Sequence, residues 1–121
     1  MKKIVLAASM AFALSATLAQ DKPLSADEIR ALVTGKTMDV ENQGLSAALY
    51  FEAGGSGSAR LTSPRGSINV SLKWQVNDNG LFCTHVLRAG SEETCTSVHK
   101  AQDGAYTRVK DGKVVSTFKM R

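Results

Sequence analysis

The residues best suited to chemistry in this chain fall late: Cys83, His85, Cys95 and His99. Two thiols and two imidazoles at alternate positions form the donor set of a zinc-type centre. The spacing argues against one. Cys83 and Cys95 stand symmetrically about Ala89-Gly90, so a hairpin turning there sets the cysteines opposite each other, His85 opposite Glu93 and His99 opposite Asn79. At ~3.3 Å per residue the two histidines are then roughly 20 Å apart, too far to share a coordination sphere. Two cysteines facing each other across a hairpin meet the geometry of a disulfide, which stabilises by about 2 to 4 kcal/mol in a loop-entropy picture. The expectation is a structural Cys83–Cys95 bond, with no metal and no cofactor. His85 beside Glu93 reads as a cross-strand polar pair, and His99 as a surface histidine.

Other chemical signals are weaker. Ser56 and Ser58 lie in the loop tip Gly54-Gly55-Ser56-Gly57-Ser58 with no base near them in sequence, and no Gly-x-Ser-x-Gly elbow occurs. Gly35-Lys36-Thr37 matches the end of a phosphate loop, but Arg30 stands where the first glycine belongs and a strand follows, so it reads as a helix stop. Asp39 and Glu41 share a strand face as paired carboxylates do, and read as a solvent-facing edge. Glu92-Glu93 reads as a solvated turn. The remaining candidates form an interaction surface of Tyr50, Arg60, Lys73, Tyr106 and Arg108, all expected to point away from the core. Aromatic and Arg side chains are the usual anchors of protein interfaces.

These residues need elements to hold them. Pro23-Leu24-Ser25-Ala26-Asp27-Glu28 contains a capping box, Ser25 with Glu28 three residues on, and Leu24 with Ile29 form a hydrophobic staple. Ile29, Leu32 and Val33 give one apolar helix stripe, ended at Gly35. From Lys36 onward, short alternating runs with turn residues every 8 to 12 positions or so predict an antiparallel meander of about eight strands. Ile68, Val70, Leu72, Trp74 and Val76 alternate with polar residues, and Leu45, Ala47, Leu49 and Phe51 do the same. A turn at Pro64-Arg65 sets Leu61 opposite Ile68 and Ala59 opposite Val70. One at Asp111-Gly112 sets Val109 opposite Val114, Thr107 opposite Ser116 and Ala105 opposite Phe118. The fold class is therefore mainly β: one short N-terminal helix and an up-and-down meander, either a curled sheet or a small barrel. The closed form is preferred because it removes exposed edges.

Lys2 and Lys3, the apolar run Ile4 to Leu18 and the small-x-small site Thr17-Leu18-Ala19 read as a secretion signal. Residues 1–19 are then removed and residues 20–121 form a single domain. The apolar run is shorter than the roughly 20 residues of a spanning helix. No cysteine stands at the cleavage point for lipid attachment. The formal charge of +4 falls to +2 once Lys2 and Lys3 leave, which gives no electrostatic footprint for nucleic acid. A periplasmic or secreted location follows, and it suits a disulfide.

Leu24-Ser25, Glu28-Ile29, Leu32, Gly35-Lys36-Thr37, Tyr50-Phe51, Gly54-Gly55, Trp74 and the Cys83/Cys95 pair occur in a recognisable order. The chain resembles a group of short exported bacterial proteins of unknown function that share a signal peptide, a helix of this type, a Tyr-Phe strand, a Trp strand and two late cysteines. The resemblance implies a periplasmic location and supplies no catalytic or binding residues to carry over. The leading functional expectation is a non-catalytic binding or interaction module contacting another envelope protein. A small-ligand carrier with a barrel-like cavity is the alternative, and a small hydrolase ranks third.

Overall fold

The computed structural model describes residues 22–42 and 44–121, so the expected signal at residues 1–19 lies outside the described residues. Among these there is one helix, α1 (Ala26–Val33). Eight strands follow: β1 (Thr37–Asn42), β2 (Leu45–Phe51), β3 (Ser56–Ser63), β4 (Gly66–Val76), β5 (Phe82–Val86), β6 (Thr94–Lys100), β7 (Ala105–Lys110) and β8 (Lys113–Met120). The capping box forms as the sequence predicts. Ser25 Oγ accepts from the Glu28 N–H at 3.2 Å, and the Glu28 carboxylate accepts from the Ser25 N–H at 2.7 Å. Two donors that a helix start leaves unpaired are thereby satisfied. Thr34 caps the other end, and Gly35 follows at φ +75°, where a side chain would strain the backbone.

Each strand pairs antiparallel with the next, and β1 pairs with β8, so the meander closes into a barrel. The β3–β4 hairpin has the register read from its turn, Leu61 opposite Ile68 and Ala59 opposite Val70. Cys83 likewise faces Cys95 across β5 and β6. The β7–β8 hairpin departs from expectation. Lys110 faces Lys113 and Val109 faces Val114, but a register shift then sets Arg108 opposite Ser116 and Tyr106 opposite Phe118. One extra residue in β8 reverses which residues of the two strands share a face. With regular pairing the Tyr106 and Phe118 rings would lie on opposite faces. In the shifted register they stack, centroids 5.6 Å apart and 19° between planes, and Phe118 is buried.

Helix α1 lies across one end of the barrel. Ile29 and Val33 are fully buried there, with Leu24 and Leu32 packed beside them. Beneath the helix, Phe51 meets Trp74 and Phe82 edge to face at centroid distances of 5.8 and 5.5 Å. The Trp74 indole N–H donates to the Glu52 carbonyl at 2.9 Å, so the ring packs without leaving its polar atom unpaired. Gly57 completes this wall opposite Phe51, and a Cβ there would overlap the Tyr50 carbonyl oxygen. Met38, Leu72, Phe82, Val98 and Phe118 fill the middle. An eight-stranded barrel is just wide enough for such side chains, so the helix-covered half is a packed core.

Candidate functional site

The opposite end of the barrel carries the turns β1–β2, β3–β4, β5–β6 and β7–β8 and is not covered by the helix. A pocket of about 450 Å³ opens there, lined chiefly by Val40, Leu45, Ala47, Leu61 and Ile68, with Arg88 at its rim. Arg88 is the one charged residue of that lining among the described residues. The alternation of β2 and β4 predicts Leu45 and Ile68 as buried, yet they are 56% and 47% exposed. They stand on inward-facing rungs at strand ends that nothing covers. Leu87, Val114 and Val115 are exposed at the same end. Among the described residues the exposed large apolar side chains are these five and Tyr50.

Arg108 corrects the sequence expectation of a surface residue: it is 7% exposed and lies inside the barrel. The bulge in β8 and the pairing of Arg108 with Val98 on β6 place it on the inward face. Its Nε donates to Thr96 Oγ1 at 2.7 Å and its Nη1 to Thr84 Oγ1 at 2.9 Å. Its Nη2 donates to the carbonyls of Phe82 at 2.9 Å and Thr94 at 3.1 Å. The guanidinium carbon also lies 4.7 Å from the centre of the Phe82 ring, a cation–π contact. Every one of these partners is neutral. The ion pairs among the described residues are Arg30–Asp27 and Arg121–Asp39, and neither involves Arg108. Burial lowers the Arg108 pKa to about 10, so the group still carries its charge at neutral pH. Thr84 and Thr94 form the last paired rung of the β5–β6 ladder before the loop that carries Arg88. The guanidinium lies between that rung and the Phe82 ring, within the wall of β5, β6 and β7.

Tyr106 departs from the same expectation: it is half-buried and packs against the core through its stack on Phe118. Tyr50, Arg60 and Lys73 do lie exposed on the outer faces of β2, β3 and β4. The five residues of the expected surface are therefore not brought together. A shallow outer groove of about 720 Å³ runs past Arg60, Asp39, Glu41 and Lys119. There Asp39 accepts from Arg121 Nε at 2.5 Å and Nη2 at 3.1 Å, which neutralises one of the two carboxylates.

The disulfide between Cys83 and Cys95 is present. A Glu93 oxygen and both sulfurs lie within 4.8 Å of one another. With the sulfurs bonded to each other, no thiolate is left to act as a ligand. His85 approaches the Ser91 carbonyl at 3.3 Å instead of pairing with Glu93, whose carboxylate accepts from Gln75 Nε2 at 3.5 Å. His99 is half-buried, not a free surface group, and its Nε2 lies 2.8 Å from Ser97 Oγ. This serine–histidine contact between alternate residues of β6 was missed in the sequence because neither residue sits in a recognised motif. The Ser97 hydroxyl also lies 3.2 Å from the Val109 carbonyl, and His99 Nδ1 is buried with no partner. Both short contacts are satisfied when Ser97 donates to the carbonyl and accepts from an Nε2–H. In that arrangement the imidazole does not act as a base toward the serine, and no third group orients it. No family model, curated protein or solved structure matches the chain, so its function is read from this geometry.

Proposed function

We propose that this chain is a small non-catalytic binding module that takes the apolar part of its ligand at the open end of the barrel. The observation that carries the reading is the uncovered apolar mouth: a pocket of about 450 Å³ ringed by exposed Leu45 and Ile68, in a barrel whose other end is closed by α1. Small-molecule sites occupy roughly 300 to 1,000 Å³ and are mostly apolar with a few polar groups, and the mouths of β-barrels are among their usual places. Because the helix-covered half is packed, the ligand sits in the mouth and does not run through the barrel. The twin-lysine and apolar start of the sequence, together with the disulfide, supports export of the mature domain into an oxidising compartment.

Titration with the uncharged fluorophore N-phenyl-1-naphthylamine tests this reading. Its emission should rise on binding to the wild-type protein, and the Leu45→Ser, Ile68→Ser double variant should weaken binding about fivefold. No rise, or equal binding by the variant, overturns the reading. A protein partner seated on the same end is the second reading, favoured because Leu87, Val114 and Val115 are also exposed at that end. Native mass spectrometry of the protein isolated from its own cells separates the two: a retained small mass supports the ligand, and a retained polypeptide supports the partner.

A further inference from the structure

The pocket at the open end carries charge at one place only, and what this implies for the ligand rests on the reading of that end as the binding site. Arg88 is the one charged residue of the lining among the described residues, and Ser46, Thr62 and Ser63 are its other polar side chains. The main chain around Arg88 is pinned. The Leu87 N–H donates to the Ser71 carbonyl at 2.8 Å, the Arg88 N–H to the Val86 carbonyl at 3.0 Å, and the Arg88 carbonyl accepts from the Ser91 N–H at 3.1 Å. The side chain itself is exposed and belongs to neither ion pair of the described residues. Glu92 and Glu93 follow in the same loop, but neither lines the pocket, and the Glu93 carboxylate accepts from Gln75 on β4 at 3.5 Å. A cation held at the edge of an apolar concavity, with no carboxylate in the lining, favours a ligand that is negatively charged at one end.

We propose that the open end takes an amphipathic anion tail first, the apolar chain against Leu45, Ala47, Leu61 and Ile68 and the anionic head left in water beside Arg88. Because Arg88 is exposed, the head is not enclosed, and the site selects the sign of the head's charge and not its shape. A carboxylate and a sulfate on chains of equal length therefore bind alike. The attraction acts at a solvated rim, so its contribution is modest and is screened by salt.

The test is calorimetric titration of the folded, disulfide-bonded protein at neutral pH and low salt with four ten-carbon compounds below their aggregation concentrations: decanoate, decyl sulfate, 1-decanol and decyltrimethylammonium. Decanoate and decyl sulfate should bind within about twofold of each other, about threefold tighter than decanol and about tenfold tighter than the cation. Raising the salt to about 0.5 M should remove most of these differences. Arg88→Ala should bring decanoate level with decanol, and Arg88→Glu should place the cation ahead of decanoate. Equal affinities for decanoate, decanol and the cation in the wild type overturn the inference, and this comparison needs no variant to fold. An order left unchanged by Arg88→Glu overturns it too, and binding of decanoate with exclusion of decyl sulfate overturns the placement of the head in water. Binding of N-phenyl-1-naphthylamine without head-group discrimination removes the charge inference and leaves the apolar mouth standing. No binding of the fluorophore or of any ten-carbon compound removes both.

Discussion

Arg108 joins three strands through one side chain: it belongs to β7 and bonds residues of β5 and β6. The β5–β6 ladder is short, three residue pairs, so this strap crosses a place where few backbone bonds hold the wall. Arg108→Met should therefore cost about 2 to 4 kcal/mol in a urea unfolding curve, since the Phe82 and Thr94 carbonyls and two threonine hydroxyls lose their donor together. Thr96→Val, removing one acceptor, should cost less. Alternation points to the wrong face here because Ala105, Thr107 and Val109 are more apolar than Tyr106 and Arg108, and alternation alone assigns the more apolar set to the core. A legible hint lies on the facing strands, where Thr84, Thr94 and Thr96 offer hydroxyls at inward positions. Ser97 yields a second test. A fluorophosphonate that labels activated serines should leave it unmodified, and stoichiometric labelling would show that His99 does act on it as a base.

The helix and its cap belong to the scale of elements. Ser25→Ala should destabilise by about 1 kcal/mol, measured by thermal unfolding. The bond to the Ser25 backbone, then the one to its hydroxyl, holds the Glu28 carboxyl below its ordinary pKa. A lowered folded-state pKa adds stability that is present above the unfolded value and is lost as the pH falls through the folded value. The difference in stability between wild type and Glu28→Gln should accordingly shrink as solutions are acidified below about pH 4. Gly57 is the other element-scale test. Gly57→Ala should cost about 2 kcal/mol or more, because the added carbon meets backbone and not a side chain that can swing away. The cap, the helix stop and the Pro64-Arg65 hairpin were legible because each is written in residues a few positions apart. The β8 bulge was not, since it answers a contact between Tyr106 and Phe118 that only the closed barrel creates.

For the whole molecule, eight strands in an up-and-down order made closure a natural expectation, and the barrel is closed. Which end stays open is a different matter. The same alternation that marks Leu49 and Phe51 as core marks Leu45 and Ile68, and only the placement of α1 decides which of them meet water. The disulfide acts on the same scale. Reduction, or replacement of Cys83 and Cys95 by alanine, should lower stability by about 2 to 4 kcal/mol, read as a shift in the unfolding midpoint with and without a dithiol.

The seam of the barrel joins Met38 to Met120 and Val40 to Phe118, the first strand to the last. A ribosome delivers β1 long before β8, and until β8 arrives both β1 and β7 present unpaired backbone to any strand they meet. Completion is therefore a terminal event in synthesis. A chain interrupted after Lys110 would keep seven of the eight strands and nearly all of the apolar core while holding two adhesive borders, a species primed for self-association.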